Sequence, residues 1–352
     1  MHFDKSAFCG VIAPIVNPCR EDEGLDDKAL IDNANRLLAT KIKGLYINGG
    51  TGDAEKLTLE ERKLTAGILV PAVIKAGKTA IVHVGQTNLR TAVCLAEQAS
   101  DLGAHAIASI PPRASWQLVQ EYYKELTRTG LPVFVYYIPG VTGINAGIDD
   151  LCSLLEIPGV IGIKVSDWNV FFIHCLKRRY PDKIVYSGFD EMLVPGLMYG
   201  ADGCIGTWIN LFPEVYTEIY DKVKSGRLDD IAQLQKGFAD FLAEGWQYGI
   251  LSTFEELMNQ KGYAKRCFRS PSPWRPDRFP PEALSDLMGK MNELNAAADT
   301  CNDAIAAGSV YGRKNHYLSD ESLLIKSQVL FQKIQWRKWR HNKETVLKGG
   351  HA

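Results

Sequence analysis

No stretch of this sequence is apolar for long enough to cross a bilayer, and the opening residues Met1-His2-Phe3-Asp4-Lys5-Ser6 lack the charged-then-apolar order of a targeting leader. A soluble, cytoplasmic protein with no membrane partner is the expectation. An excess of one charge is also missing. The 40 basic and 41 acidic side chains leave a formal net charge of −1, so there is no global case for nucleic acid or an acidic surface as partner. Cysteine pairing motifs are absent as well. Cys9, Cys19, Cys94, Cys152, Cys175, Cys204, Cys267 and Cys301 are scattered, with no C-x-x-C pair and no metal-type spacing. Reduced thiols are expected rather than a disulfide framework or a zinc site. No His, Asp and Glu cluster has ligand spacing, so no metal is expected.

What the chain has is length and apolar content. Its 352 residues, 46% of them hydrophobic, suffice for one barrel of roughly 250 residues plus extra helices. Short apolar, β-rich runs recur at Phe8–Val16, Gly44–Asn48, Thr79–Val84, His105–Ile110, Pro132–Tyr137, Val160–Val165, Lys183–Ser187 and Asp202–Gly206. Helical stretches fall between them. Asp26 or Asp27 can cap a first helix, Asn88 a third, and Thr58 with Glu61 three residues on forms a capping-box pattern. Eight strands alternating with helices predict an α/β fold, a (β/α)8 TIM barrel over 1–225. No G-x-G-x-x-G follows the first strand, which argues against a dinucleotide fold. Helices are predicted at Asp229–Leu242, Thr253–Lys261 and Pro281–Leu294, giving a C-terminal helical extension over 226–300 that packs on the barrel. A basic helical tail is expected over 301–352. Its Lys/Arg/Trp-rich segment Gln332–Arg340 reads as an amphipathic helix with its charges in water.

The strand over Val160–Val165 organises the functional reading. It sets a single lysine, Lys164, among isoleucine and valine. Burying an ammonium is costly, and the usual response is a neutral amine able to attack a ketone. Catalytic groups of such barrels come from the C-terminal strand ends. Here those ends offer Asn48-Gly49-Gly50-Thr51, His83, Tyr136, Lys164 with Ser166, Gly188 with Asp190 and Glu191, and Gly206-Thr207. An amine attacks a carbonyl, a phenol moves the proton, and a Gly/Thr turn offers N–H groups and a hydroxyl to a carboxylate. The set points to metal-free imine chemistry on a 2-oxo acid. His83 reads more readily as a satisfied strand-end histidine than as a catalyst, and Arg113 as a solvated loop arginine.

Three motifs carry a family resemblance. Gly44-Leu45-Tyr46-Ile47-Asn48-Gly49-Gly50-Thr51-Gly52-Asp53, Tyr136-Tyr137-Ile138-Pro139 with Thr142-Gly143, and Gly162-Ile163-Lys164 resemble motifs of the N-acetylneuraminate lyase and dihydrodipicolinate synthase superfamily of pyruvate-dependent class I aldolases. The likeness runs from about residue 8 to about residue 295. It implies that Lys164 forms an imine with pyruvate and that Tyr136 is the acid/base group. Thr51 and the N–H groups around Gly50 would hold the pyruvate carboxylate. Ser166, Gly188, Asp190, Glu191, Gly206 and Thr207 would line the aldehyde half. The pair Asp190-Glu191 suits a polyhydroxy acid such as a sialic-acid-like or 2-keto-3-deoxy sugar acid. Val141 stands where dihydrodipicolinate synthases usually carry Arg, which disfavours an amino-aldehyde. No cofactor is implied beyond the covalent imine, and a homo-oligomer, dimer or tetramer, is expected. Two features depart from the family pattern: Gly50 replaces a hydroxyl residue, and the Pro111–Ser115 loop lacks the usual tyrosine. They leave a non-catalytic 2-oxo-acid-binding relative as one rival reading, beside a dihydrodipicolinate-synthase-like condensation.

Overall fold

A computed structural model describes residues 3–85, 88–272 and 279–306. Eight strands form a closed parallel barrel in chain order. They are β1 (Gly10–Pro14), β2 (Gly44–Ile47), β3 (Thr79–His83), β4 (Ala106–Ser109), β5 (Val133–Tyr137), β6 (Val160–Val165), β7 (Ile184–Ser187) and β8 (Gly203–Cys204). Gly10 and Val11 pair with Gly203 and Cys204 and close the ring. Each strand lies within the run read from the sequence, and every strand residue is buried. Burial on both faces accounts for the continuous apolar runs.

The helices between strands are α1 (Asp27–Leu38), α2 (Leu59–Lys75), α3 (Leu89–Asp101), α4 (Trp116–Thr127), the one-turn α5 (Pro139–Thr142), α6 (Ile148–Leu155), α7 (Phe171–Arg179) and α8 (Leu193–Met198). The Asp26 carboxylate accepts the Ala29 N–H and caps α1, Asn88 accepts the Thr91 N–H and caps α3, and both halves of the Thr58–Glu61 capping box form at α2. The barrel's last helix, α9 (Pro213–Lys224), was missed by the sequence reading, which had no helix between Gly206 and Asp229. Pro213 occupies its first turn, where a missing N–H costs nothing and φ is already set.

Beyond the barrel lie α10 (Ala232–Gln247), α11 (Ile250–Gln260) and α12 (Pro281–Ala306). The last runs past the expected end at Leu294, because no Gly or Pro interrupts the Ala-rich continuation. Met1–Asp303 forms one compact unit. Trp208 after β8 meets Phe241 of α10 edge-to-face at 5.2 Å and Phe254 of α11 at 5.5 Å, while Leu287 and Met291 of α12 join the same apolar core. Each such ring pair contributes about 0.5–1.5 kcal/mol beyond area burial. Of the basic helical tail expected over 301–352, residues 307–352, the Gln332–Arg340 segment included, lie outside the described residues. No helix among the described residues is long and apolar enough to cross a membrane.

Two apolar layers position the site. Val133, Val135 and Tyr137 of β5 face the helices, whereas Phe134 and Tyr136 face the barrel axis with Tyr46, Ile184 and Tyr186. β6 does not keep that alternation. Val133 pairs with Val160, but Phe134 pairs with Gly162, so Ile161 is an extra residue in the ladder. One extra residue reverses the facing of everything after it. Lys164 thereby aligns with inward Tyr136 and Tyr186.

Candidate active site

Lys164 is 6% exposed, and its Nζ lies 4.2 Å from the centre of the Tyr136 ring and 5.4 Å from that of Tyr46. Among the described residues no carboxylate lies within ion-pair distance of it. The passage for the lysine stem is cut by Gly188. A Cβ there would stand 2.8 Å from Lys164 Cε and 2.0 Å from Ser166 Oγ, so only glycine fits. Ser166 Oγ is itself buried with no protein partner, as is the hydroxyl of Tyr46. An unmet buried hydroxyl beside an amine is a candidate contact for a polar ligand.

The turn after β2 is built from residues that tolerate unusual backbone. Asn48 and Asp53 take left-handed φ values of 59° and 52°, which their short polar side chains accommodate. Gly52 donates to Gly49 O at 3.0 Å, and Asn17 Nδ2 donates to Gly52 O at 2.8 Å. Thr51 Oγ1 lies 2.8 Å from Thr207 Oγ1, which ties this turn to the loop after β8. Asp53 Oδ2 accepts the Arg269 N–H at 2.9 Å from the far side. At Gly50 a Cβ would meet nothing within 4 Å. A cavity of about 210 Å³ lined by Gly50, His83, Ile110, Tyr136 and Val141 opens there. A second, of about 390 Å³, shares Ile110 and Val141 with it and reaches Arg113, whose Nη2 donates to Val141 O at 2.9 Å.

His83 is held at both nitrogens. Nε2 accepts the Ile110 N–H at 3.2 Å, which assigns the ring proton to Nδ1, and that proton goes to Asn48 O at 3.0 Å. Burial and the nearby Arg62 guanidinium push its pKa down to about 3, so the ring stays neutral. It is a brace, as the sequence suggested. Arg62 was not read from the sequence, where it resembles any surface charge on α2. It is buried, donates to His83 O at 2.6 Å and Gly85 O at 3.0 Å, and its carbonyl accepts Asn48 Nδ2 at 2.8 Å. Burial lowers its pKa to about 10, which still leaves it charged at neutral pH.

The two adjacent carboxylates part company. Asp190 is buried and turned inward, accepting from Thr207 N–H at 3.1 Å, Trp208 N–H at 3.3 Å and the Tyr216 hydroxyl. Glu191 is half-buried at the rim, where Oε1 accepts Trp246 Nε1–H of α10 at 3.1 Å. Gly206 permits the Asp190 approach, since a Cβ there would stand 2.0 Å from its Oδ1. Thus Lys164, Tyr136, Ser166 and Gly188 form one group and Thr51, Thr207, Gly206 and Asp190 another. Glu191 stands outside both. Tyr46 and Tyr216 also reach these groups and were missed, the one resembling a core tyrosine and the other a residue of an unread helix.

The arrangement places an amine, a phenol and a hydroxyl-bearing turn at the C-terminal end of a parallel barrel, where enzymes of this architecture do their chemistry. The chain is similar to an N-acetylneuraminate lyase of Haemophilus influenzae, 29% identical over 295 residues that cover 82% of this chain and 97% of the relative. An N-acetylneuraminate lyase of Fusobacterium nucleatum is 27% identical over 270 residues, covering 74% and 92%. The crystal structure of the Fusobacterium nucleatum enzyme superposes with a TM-score of 0.75 at 25% identity, over 81% of this chain and 99% of that one. The model of the dihydrodipicolinate synthetase family matches residues 7–274, every strand of the barrel and the whole of the Lys164–Tyr136 site included, and to that family the chain belongs.

Proposed function

We propose that this chain is a Schiff-base aldolase that cleaves, or in reverse condenses, a pyruvate-derived 2-keto acid, most simply a sialic-acid-like or 2-keto-3-deoxy sugar acid. The observation that carries this reading is the buried Lys164 amine 4.2 Å from the Tyr136 ring, free of any carboxylate among the described residues. The amine adds to the 2-keto carbon, and loss of water leaves an iminium. Tyr136 takes the proton of the hydroxyl two carbons along, the bond joining that hydroxyl-bearing carbon to the carbon next to the iminium breaks, and its electron pair enters the iminium to give an enamine. The aldehyde leaves, the enamine carbon regains a proton, and water releases pyruvate from Lys164. No metal or organic cofactor is required by this scheme.

In this reading Thr51, Thr207 and the N–H groups at Gly50 and Thr51 receive the pyruvate carboxylate. Ser166, Gly188, Glu191 and Gly206 line the side that receives the aldehyde. Asp190 has at most one acceptor direction left for a substrate hydroxyl, because three donors already occupy its oxygens. The two lyase relatives favour a sugar acid, and so does Val141 in place of an arginine. The enzyme works as a homo-oligomer, a dimer or tetramer, in the cytoplasm.

A second reading, a relative that binds 2-oxo acids without turnover, draws on the open space at Gly50 and on a His83 whose nitrogens are both engaged. Borohydride reduction in the presence of pyruvate, read by mass spectrometry, tests the common step, and an unmodified Lys164 sinks both. A panel of N-acetylneuraminate, 2-keto-3-deoxygluconate, and aspartate semialdehyde with pyruvate then separates lyase, condensing enzyme and binder.

A further inference from the structure

Asp190 and Tyr216 come from different elements, the turn after β7 and helix α9, and meet beneath the loop that follows β8. Both are buried, Tyr216 almost completely. The carboxylate receives the first two N–H groups of the Thr207–Asn210 turn, Thr207 at 3.1 Å and Trp208 at 3.3 Å. Those donors fix where Thr207 begins, and its Oγ1 reaches Thr51 Oγ1 at 2.8 Å. The path from Tyr216 to the anion-binding turn is therefore continuous: phenol, carboxylate, peptide N–H, hydroxyl, hydroxyl. Gly206 is part of it, for any side chain would displace Asp190 Oδ1.

We infer that Asp190 and Tyr216 are positioning residues for the substrate carboxylate, holding the Thr207 hydroxyl against Thr51. The inference rests on the assignment of the Thr51 turn to that carboxylate. It gives Tyr216 a role that no motif of the sequence suggests. Charge at Asp190 strengthens the clamp, because N–H groups bind a carboxylate more tightly than a carboxylic acid. Burial pushes the Asp190 carboxyl up to about 7, against the pull of the Tyr216 hydroxyl. Glu191 beside it adds to the rise, and the Trp208 N–H and Lys164 oppose it. The remaining neighbour is the buried Cys204 thiol, itself pushed up by burial. The clamp accordingly loosens as pH falls through neutrality.

The test is the pyruvate concentration that half-saturates borohydride trapping at Lys164 in the full-length protein, measured from pH 5.5 to 8.5. Tyr216→Phe keeps the ring and loses only the hydroxyl, and should raise half-saturation about tenfold at pH 7.5. Its pH midpoint should move upward, since the lost hydrogen bond favoured the charged carboxylate. Thr207→Val should give a similar rise, and the double variant should be no worse than Thr207→Val alone. Tyr220→Phe removes a hydroxyl from the same helix that bonds Asp202 O instead, and should leave half-saturation unchanged. Equal half-saturation and pH midpoint in the parent and Tyr216→Phe overturn the clamp while leaving the imine chemistry standing. A parent that traps no pyruvate overturns both.

Discussion

Lys164 on β6 and Tyr136 on β5 are register partners, with the lysine nitrogen 4.2 Å from the centre of the tyrosine ring. Both side chains leave from ladder-paired positions of a closed sheet, so their separation is set by the ladder and not by loops. That rigidity is what a proton transfer coupled to bond cleavage needs, since small misplacements of reacting groups cost large factors in rate. Tyr46 flanks the pair from β2, its ring edge-on to Tyr136 at 6.3 Å. Two aromatic rings thus flank one amine.

Lys164→Met should abolish the borohydride-trapped pyruvate adduct while raising stability by about 1 kcal/mol. A buried amine without a carboxylate partner is replaced by an apolar side chain of similar length, a gain often seen when functional strain is removed. Intact-mass spectrometry and urea denaturation check the two halves separately. An adduct that persists in the variant would place the imine on another lysine.

Tyr136→Phe should still form the trapped imine but turn over about 10²–10⁴-fold more slowly, the range for loss of a general acid/base. The comparison of trapping yield with steady-state pyruvate release distinguishes this from a packing defect. Equal losses in both would assign the tyrosine to structure alone.

Two glycines should respond oppositely. Gly188→Ala forces a Cβ to within 2.0 Å of Ser166 Oγ, and should destabilise by about 1–3 kcal/mol and impair trapping. Gly50→Ser projects into open space and should keep stability within about 0.5 kcal/mol, while offering Tyr136 a hydroxyl neighbour. Thermal denaturation and turnover of the two variants decide the matter.

His83 supplies a signed pH dependence. Its folded pKa is held near 3 by burial and by Arg62, below the ordinary histidine value of about 6.5. The stability it contributes is complete above the ordinary value and is lost as pH falls from there toward 3, by up to about 1.4 kcal/mol per unit. Asp190, raised to about 7, acts with the opposite sign over much of that window, so the raw stability curve mixes the two. His83→Asn isolates the histidine: the urea-midpoint gap between parent and variant should narrow steadily from pH 6.5 to pH 4. A constant gap would contradict the assignment.

The barrel was legible in the sequence because strands buried on both faces leave apolar β-branched runs, and because Thr58-x-x-Glu61 and Asn88 mark helix starts by local chemistry alone. The buried lysine at the centre of the site was legible for the same reason, as a lysine inside such a run. Its facing was not, since Val160–Val165 is apolar but for Lys164 and gives no alternation from which to infer the extra residue at Ile161. Long-range partners were equally hidden. Nothing local distinguishes Arg62 from its charged neighbours on α2, or shows that the Asp190 carboxylate would meet a phenol 26 residues away. The reading that Asp190 and Glu191 work as a pair follows from adjacency in the chain, whereas the fold sends one inward and the other to Trp246.

The Asp53 carboxylate at the end of the turn after β2 is held by a peptide N–H 216 residues later in the chain, and the Arg269 guanidinium that follows it bonds Glu61 at the head of α2. All eight strands, Lys164 and Tyr136 precede that segment. A chain synthesised only as far as β8 therefore already contains Lys164 and Tyr136, but not the segment that holds Asp53. Synthesis must continue through Arg269 before the turn after β2 gains that contact.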